Sequence, residues 1–405
     1  MTDSSPFQLP AGKVDICIVG GGGHVGFPLG LAFANKNLQV TLYDTNQNTL
    51  EKIAQGKLPF AETGADKILK KVLNKSLWLS NRLQSIAKAK YIIIAIGTPV
   101  DDHLNPNLKA LTDLFKDLQP FLDNHQCIII RSTVYPRTCI QISTFLSSKR
   151  KGKWHIAYCP ERIVQGKALI ELSQLPQIIA GLTQKSIRDA SYLFKKISPS
   201  IVKVTIDEAE LAKLFSNAWR YIQFAVANQF YMIANEFEVD FNKVRKAMVK
   251  GYGRASSLPT AGFAAGPCLL KDTLQLAAFN TNNFTLGNVA VMVNEGLPNY
   301  IVEKLRENYD LKKIIVGILG MAFKADSDDS RDSLSYKLGK ILRFHGANVL
   351  YSDEYVKDST FVTKEKLLKH SNIVIIGVPH RQYKNLVIPK KAVLIDLWGV
   401  VKSEE

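Results

Sequence analysis

Short apolar runs that end in glycine or in small hydroxyl residues recur along this chain, and their pattern predicts buried parallel strands. The first run, Val14–Val19, is followed by a glycine cluster, a helical pattern over residues 25–35 and a second run over residues 39–43. Further runs of this kind occupy residues 91–96, 127–131 and 155–158. The amino-terminal part is therefore predicted to be a doubly wound α/β domain.

A second strand-turn-helix-strand pattern begins at residue 314. Its strands are predicted at residues 314–318 and 349–351, with a helix over residues 333–345 between them. Two later apolar runs cover residues 373–377 and 393–397. The carboxyl-terminal part is therefore predicted to form another α/β domain, with a less regular glycine loop.

A long helical stretch without proline or glycine, residues 208–236, separates the two patterns. Its apolar positions are dense enough to predict burial on several sides, as in a helix between domains or in a dimer interface. The predicted fold class is α/β, with two Rossmann-like doubly wound domains joined by a long central helix. We divide the chain into an amino-terminal Rossmann domain (1–204), a central helical domain (205–305) and a carboxyl-terminal Rossmann-like domain (306–405).

Composition excludes several classes of protein. Of 405 residues, 46% are hydrophobic and 22% charged, which is typical of globular proteins. The polar start lacks the layout of a signal peptide, and no apolar run approaches the roughly 20 residues of a membrane helix. The five cysteines are scattered without a C-x-x-C pair. We expect a cytoplasmic protein with reduced thiols, no metal site and no membrane insertion.

The formal net charge of +16 is compatible with nucleic acid, an anionic membrane surface or an anionic small molecule. No zinc finger, ribonucleoprotein motif or basic arm accompanies the charge. We therefore expect a small anionic substrate and no nucleic-acid partner.

The glycine cluster after the first strand matches a dinucleotide fingerprint, Gly21-x-Gly23-x-x-Gly26. The first glycine permits the tight turn, the second lets the backbone approach a pyrophosphate, and the third lets helix and strand pack closely. Asp44 ends the next strand, where a carboxylate accepts hydrogen bonds from ribose hydroxyls and repels a 2′-phosphate. The predicted cofactor is NAD.

Two other strands end in residues that should line the same cleft, because ligands of a doubly wound sheet bind beyond the carboxyl ends of its strands. These residues are Gly97, Thr98 and Pro99 after one strand, and Ser132 and Thr133 after the other.

Three polar residues in the central part have two readings each. Lys213 and Asn217 are four apart and share a helix face, either as a surface pair or as a functional amine and amide. Cys268 follows a Gly-Pro pair in a loop of small residues, either as a packed thiol or as a nucleophile. Local sequence leaves both readings open.

Taken together, the motifs resemble the nucleotide-sugar 6-dehydrogenases, the UDP-glucose/GDP-mannose dehydrogenase family, over residues 14–399. The markers are Gly23-His24-Val25-Gly26, Gly97-Thr98-Pro99, Ser132-Thr133-Val134, Pro160-Glu161-Arg162, Glu210-x-x-Lys213-x-x-x-Asn217, Gly266-Pro267-Cys268-x-x-x-Asp272, Phe323-Lys324 and Asp328-Asp329-x-Arg331.

The resemblance implies oxidation of a sugar C6 alcohol to a carboxylate with two molecules of NAD. Cys268 would add to the intermediate aldehyde, and the resulting thiohemiacetal would be oxidised to a thioester that water hydrolyses. Lys213 and Asn217 would stabilise the developing oxyanion at C6.

Acid-base roles are implied for Asp272 together with Thr133, and Glu161 belongs to the same network. Which of the two carboxylates moves the proton is open from the sequence.

Further substrate-binding residues implied by the family are Glu161, Arg162, Lys213, Asn217, Arg254, Phe323 and Lys324. Further cofactor-binding residues are His24, Val25 and Arg331. Arg254 corresponds to an arginine that the family presents across the interface of a homodimer, here through the helix of residues 208–236.

Two positions depart from the family pattern. Ala265 stands where the family has a glycine before Gly266, and Arg137 stands where it has a glycine after the Ser-Thr-Val motif.

The loop of residues 159–166 and the Gly-Pro before Cys268 favour UDP-N-acetyl-D-mannosamine as substrate. UDP-glucose and UDP-N-acetylglucosamine are alternatives. Outside the family, a two-electron hydroxyacid-type dehydrogenase and a noncatalytic nucleotide-binding regulator stay open.

Overall fold

The structure is a computed structural model that describes residue 7, residues 12–98 and residues 108–402. The chain forms two compact units, Met1–Phe215 and Ser216–Glu405. Each contains a sheet whose strands are all or mostly parallel, so the predicted α/β class is confirmed.

The first unit holds eight strands within the described ranges. They are β1 (Val14–Val19), β2 (Val40–Tyr43), β3 (Leu77–Ser80), β4 (Ala89–Ile94), β5 (Cys127–Ile130), β6 (His155–Tyr158), β7 (Gln177–Gly181) and β8 (Ile201–Lys203). The helices are α1 (Gly26–Ala34), α2 (Gln47–Ala54), α3 (Ala65–Val72), α4 (Leu108–Leu118), α5 (Thr138–Lys149), α6 (Ala168–Gln174) and α7 (Gln184–Phe194). Short 3-10 helices cover Leu83–Lys88 and Gln119–Phe121.

The strand order of this sheet is β3-β2-β1-β4-β5-β6-β7-β8. Neighbouring strands are parallel except β6 and β7, which pair antiparallel. Alternate residues of β1 enter two hydrophobic clusters, Ile16 and Ile18 in one and Cys17 and Val19 in the other. Both faces are therefore covered, and the order reverses between β1 and β4, where a doubly wound sheet binds its ligand.

Helix α8 (Ile206–Glu236) begins in the first unit and ends in the second. The helices that follow are α9 (Phe241–Val249), α10 (Leu269–Phe279), α11 (Thr285–Asn308), α12 (Leu334–Phe344) and α13 (Lys364–His370). The remaining strands are β9 (Ile315–Leu319), β10 (Asn348–Ser352), β11 (Ile373–Ile376) and β12 (Val393–Ile395). Short 3-10 helices lie at Gly253–Ala255, Leu311–Lys313 and Arg381–Asn385.

The second sheet is parallel, in the order β10-β9-β11-β12. Val316 and Ile318 of β9 pack in one hydrophobic cluster, whereas Leu319 packs in another with Val374 of β11. Both faces of this sheet are thus buried, as the pattern of continuous apolar runs predicts. Among the described residues, no helix is both long enough and apolar enough to cross a bilayer.

Candidate functional site

The turn after β1 brings the fingerprint glycines against the sheet. A Cβ atom on Gly26 would lie 2.2 Å from the carbonyl oxygen of Gly20, so α1 could not approach the strand with any larger residue there. Gly21 is similarly close to Leu42, whereas a Cβ atom on Gly23 would meet only the Gly20 carbonyl oxygen, at 3.4 Å. Gly23 is half-buried, so backbone beside the first turn of α1 is accessible, as a pyrophosphate site requires.

Asp44 lies directly after β2 and is tied to the glycine loop. Its Oδ2 accepts a hydrogen bond from the backbone N–H of Gly22 at 2.8 Å, and Oδ1 accepts one from Asn46 at 2.9 Å. A carboxylate has about four acceptor positions, so lone pairs are left for ribose hydroxyls. Val25 is the N-cap of α1, and the His24 ring packs 3.9 Å from the Phe60 ring between centroids.

Hydroxyl groups join the carboxyl ends of β4 and β5. Thr98 Oγ1 donates to the carbonyl of Thr133 at 2.7 Å, and Ser132 Oγ donates to the carbonyl of Ile96 at 2.7 Å. Gly97 is exposed and Thr133 is half-buried. These residues border the β1–β4 switch point, while Pro99 lies outside the described residues.

Glu161 is buried and held on both sides. Arg131, at the end of β5, pairs with its Oε2, and the backbone N–H groups of Arg162 and Ile163 donate to Oε1 at 2.7 and 2.8 Å. The Arg131 guanidinium also donates to the Cys159 carbonyl and lies 4.9 Å from the centre of the Phe194 ring. Arg162 donates to the Pro176 carbonyl. Glu161 thus organises its own loop.

The start of α5 is capped by a buried carboxylate from α8. Glu210 accepts hydrogen bonds from the backbone N–H groups of Arg137 at 2.5 Å and Cys139 at 3.0 Å. Burial raises the pKa of Glu210, and these hydrogen bonds oppose the rise. Arg137 has a φ of 70°, in the left-handed region that favours glycine.

In the second unit, Asp272 is fully buried in the first turn of α10. Its Oδ2 accepts a hydrogen bond from Asn217 Nδ2 at 2.5 Å, and its Oδ1 lies 2.6 Å from Lys271 Nζ. Lys213, one turn before Asn217 on α8, is also buried. Asn217 and Asp272 are therefore brought together by the structure, although they are 55 residues apart in sequence.

Cys268 is exposed and is the N-cap residue of α10, one turn before Asp272. The other four cysteines are buried. Burial raises the pKa of Cys17 and Cys127 to about 12, and it also raises the pKa of Cys139 and Cys159. Since thiolates are the reactive form, those four are expected to be inert.

The loop before Cys268 is anchored at two points. Asn228 of α8 exchanges two hydrogen bonds with the backbone of Gly262, at 2.8 and 3.1 Å. Gly266 has a φ of 100°, and a Cβ atom there would lie 2.4 Å from the Phe323 ring. Glycine is therefore required at 266, where ring and loop touch, and the departure at Ala265 leaves this contact intact.

The basic residues predicted to bind ligands differ in exposure. Lys324 is half-buried, with Nζ 5.7 Å from the centre of the Phe323 ring. Arg331 is exposed and forms a two-nitrogen pair with Asp329, which is the main cause of its raised pKa, and the thiolate of Cys268 contributes. Arg254 is exposed beside the Tyr252 ring.

A cavity of about 450 Å³, within the size range of small-ligand pockets, lies beside the loop that precedes Cys268. Residues 264–266 line it together with Ser330, Lys337 and Lys340. Lys337 is paired with Glu295 at 3.0 Å. Among the described residues, no group of three His, Cys, Asp or Glu side chains is placed to hold a metal ion.

Comparison with models of known protein families gives matches along most of the chain. Three domain models of the UDP-glucose/GDP-mannose dehydrogenase family match in chain order: the NAD binding domain at residues 14–198, the central domain at 207–295 and the UDP binding domain at 317–403. The chain belongs to this family. As predicted from the motifs, it is an NAD-dependent oxidoreductase of the nucleotide-sugar dehydrogenase class.

Individual relatives agree with this assignment over most of their length. The UDP-N-acetyl-D-mannosamine dehydrogenase of Pyrococcus horikoshii is 27% identical, over 90% of this chain and 89% of the relative. That of Methanococcus maripaludis is 28% identical, over 92% and 87%. The solved structure of the UDP-N-acetyl-mannosamine dehydrogenase from Staphylococcus aureus superposes with a TM-score of 0.86, at 25% identity and 96% coverage of both chains.

Three polar residues of this family member were given no role from sequence: Arg131, which pairs with Glu161, Glu210, a family marker that caps α5, and Lys271, which pairs with Asp272. The sequence did contain one indication of a role for Arg131, because a charged arginine directly after a buried strand needs a partner. For Lys271, the only signal was its position next to Asp272.

Proposed function

We propose that this protein oxidises the C6 alcohol of a UDP-sugar to the carboxylate, with two molecules of NAD and a thioester on Cys268. The observation that carries the proposal is the exposed thiol at the start of α10, one turn before the buried Asp272 that is bonded to Asn217. An aldehyde cannot release a second hydride until a nucleophile has made its carbon tetrahedral, which is the task of the thiol.

The first oxidation removes a hydride from C6 and a proton from the alcohol oxygen, leaving an aldehyde. The sulfur of Cys268 then adds to the carbonyl carbon, and the oxygen becomes an oxyanion that Lys213 and Asn217 are proposed to stabilise. Loss of a second hydride gives the thioester. Water adds to the thioester carbon, the C–S bond breaks, and its electron pair returns to sulfur as the acid leaves.

Bound NAD supplies the acceptor for each hydride. We propose that the Gly21–Gly26 turn, Val25 and His24 face its pyrophosphate and that Asp44 receives its ribose hydroxyls. Gly97, Thr98, Ser132 and Thr133 border the same switch point of the sheet. Arg331 is proposed as a further cofactor contact.

Between the two candidate carboxylates, we assign proton transfer to Asp272. Glu161 accepts from two backbone N–H groups and from a buried guanidinium, so its lone pairs are committed to its own loop. Asp272 lies one helical turn after Cys268 and is bonded only to side chains through its carboxylate oxygens, so it is the carboxylate beside the thiol. Glu161 and Arg162 are instead proposed to shape the substrate loop.

For the substrate we favour UDP-N-acetyl-D-mannosamine. The support is the loop of residues 159–166, the Gly-Pro before Cys268 and relatives that carry this name at 27% and 28% identity. Phe323 and Lys324 are proposed to bind the nucleotide or the sugar, with Arg254 reaching the substrate from a second subunit. UDP-glucose is the second candidate, and UDP-N-acetylglucosamine is the third.

A panel of UDP- and GDP-sugars tests the proposal. We expect UDP-N-acetyl-D-mannosamine to release two NADH per sugar and to give the uronic acid by mass spectrometry, whereas a hydroxyacid-type enzyme would release one. Cys268→Ser should lower the rate at least about 100-fold, because an alcohol is a far weaker nucleophile than a thiolate. Cys127→Ala, at a buried thiol, is the matched control. Full turnover by Cys268→Ser would refute the thioester route.

We further propose a homodimer through α8 and a location in the cytoplasm. The described α8 exposes Trp219, Phe230 and Ile233 to solvent in the single chain, which supports burial against a second copy. All five cysteines are thiols without disulfides, as suits a reducing compartment.

A further inference from the structure

Lys271 and Asp272 form a buried ion pair one turn after Cys268. The Nζ of Lys271 lies 2.6 Å from Oδ1 of Asp272, and the side chains are 17% and 1% exposed. The second oxygen, Oδ2, accepts the hydrogen bond from Asn217 Nδ2. The carboxylate is therefore held between a cation on its own helix and an amide on α8.

Ordinary helix energetics do not account for this lysine. Adjacent residues of a helix point about 100° apart, so their side chains normally diverge. A cation in the first turn also meets the positive end of the helix dipole, which is unfavourable. The Lys271 side chain nevertheless turns back and gives up most of its hydration to reach Asp272.

The effect of this arrangement is to give the buried Asp272 carboxylate a counter-charge. A buried carboxylate without a counter-charge takes up a proton, because burial disfavours the anion. A neighbouring ammonium offsets that cost if the pair is closely bonded. Lys271 supplies the charge, and the fixed geometry leaves Oδ2 directed to Asn217.

We propose that Lys271 is a positioning residue, which keeps Asp272 as a carboxylate and orients it for proton transfer at the group attached to Cys268. This inference rests on the proposed thioester reaction. In the hydrolysis step, water forms a bond to the thioester carbon and gives a proton to Asp272, while the C–S electrons return to sulfur. An already protonated Asp272 could not accept that proton.

Two substitutions separate charge from packing. Lys271→Met removes the ammonium and keeps a long side chain, whereas Lys271→Arg keeps the charge. Lys369→Met, at an exposed lysine of α13 in the same unit, is the matched control. The measured quantity is the pH profile of kcat for NADH release from UDP-N-acetyl-D-mannosamine.

For Lys271→Met we expect kcat at pH 7 to fall at least about 10-fold, since a general base contributes 10²-fold or more. Its acidic limb should move to higher pH, because a neighbouring ammonium favours the anionic form of a carboxyl group. Lys271→Arg should stay within about threefold of the wild type, and Lys369→Met should match it. An equal loss at every pH, with the acidic limb unmoved, would mean a structural role and overturn the proposal.

A second readout needs no turnover. In protein labelled with carboxyl-¹³C aspartate, the signal that disappears in Asp272→Asn belongs to Asp272. Its titration midpoint should be higher in Lys271→Met than in the wild type, and equal midpoints would overturn the proposal. If wild-type protein released no NADH from any sugar, the proposed reaction would fail, while this titration would still decide what Lys271 does. Should Lys271→Met not fold, Lys271→Gln replaces it in both measurements.

Discussion

Arg137 holds a backbone conformation that suits glycine. Its φ of 70° places the Cβ atom close to its own carbonyl oxygen, which costs a residue other than glycine about 1 kcal/mol. In this conformation the N–H groups of Arg137 and Cys139 both donate to Glu210. The glycine that the family resemblance implies at this position would avoid the strain, so the departure at Arg137 has a cost.

Replacing this residue should stabilise the protein. Arg137→Gly removes the backbone strain of the folded state. Glycine also gives the unfolded chain more conformational freedom, which offsets part of this gain. We expect a net increase of about 0.5 kcal/mol in the free energy of unfolding. Calorimetry would show it as a higher melting temperature. Arg188→Gly, at an exposed helical arginine of α7, should instead lower stability by about 1 kcal/mol. A variant at 137 that melts below the wild type would contradict the strain argument.

Residue identities at the candidate site could be proposed from sequence, but their partners could not. Asp272 and Cys268 belong to one motif, and their spacing of one helical turn follows from it. The pair of Arg131 with Glu161 joins residues 30 apart, and nothing near either residue specifies the other. Such contacts depend on how β5 and the loop after β6 meet, which is a property of the packed sheet.

At the scale of elements, the buried pair of Asp353 and His380 holds the loop from β9 to α12. Asp353 lies directly after β10. Asp353 Oδ2 accepts hydrogen bonds from the backbone N–H groups of Met321 at 2.5 Å and Ala322 at 3.0 Å. His380 Nδ1 accepts the N–H of Asp326, which puts the ring proton on Nε2, 3.1 Å from Asp353. The position that Asp44 occupies after β2 in the first sheet is here used to fix the loop that carries Phe323 and Lys324.

This pair predicts a dependence of stability on pH. Burial alone would raise the pKa of Asp353, but the hydrogen bond from His380 and those from backbone N–H groups outweigh it and lower the pKa from 3.8 to about 2. A carboxyl lowered on folding contributes stability above its unfolded pKa, here about 2.5 kcal/mol, and the contribution is lost as the pH falls from about 4 to 2.

Asp353→Asn should therefore melt at a lower temperature than the wild type at pH 7, and the difference should shrink towards pH 2.5. Differential scanning calorimetry across that range measures both quantities. Glu365→Gln, at an exposed carboxylate in the same unit, should follow the wild type at every pH. A deficit that stayed constant with pH would mean that the loss comes from packing and not from the ionised pair.

The bounds of helices and strands with a strong apolar pattern could be predicted well from the sequence. The predicted helix of residues 25–35 is α1 (Gly26–Ala34), and the predicted run of residues 208–236 is α8, which begins two residues earlier. Strands β3, β7 and β8 were not predicted, because each is a short run of only three to five residues. The antiparallel pairing of β6 with β7 could not have been read locally either, since strand direction follows from the connection through α6.

At the scale of the whole molecule, the exposed face of α8 predicts its state of assembly. On α8, Trp219, Phe230 and Ile233 are 59%, 40% and 45% exposed, and Val226 lies between them at helical spacing. Phe237, directly after the end of the helix, is 74% exposed. A continuous apolar face of this kind is expected to be covered by a second copy of the chain. Light scattering should give twice the 45.1 kDa of one chain.

Phe230→Asp would place a charge in that face and should give a monomer, whereas Phe344→Asp, at a phenylalanine 85% exposed on α12, should leave the mass unchanged. A wild type that is monomeric and active would contradict the proposed dimer.

The dimer also bears on the reaction, because Arg254 is proposed to serve the active site of the other subunit. Cys268→Ser and Arg254→Ala chains should each be nearly inactive alone. In a mixed dimer, the site with an intact Cys268 then receives Arg254 from the Cys268→Ser chain. With random exchange, half of the dimers are mixed and one of their two sites is complete, so about a quarter of wild-type activity should return. If Arg254 acted within its own chain, no site in the mixture would have both groups and no activity would return.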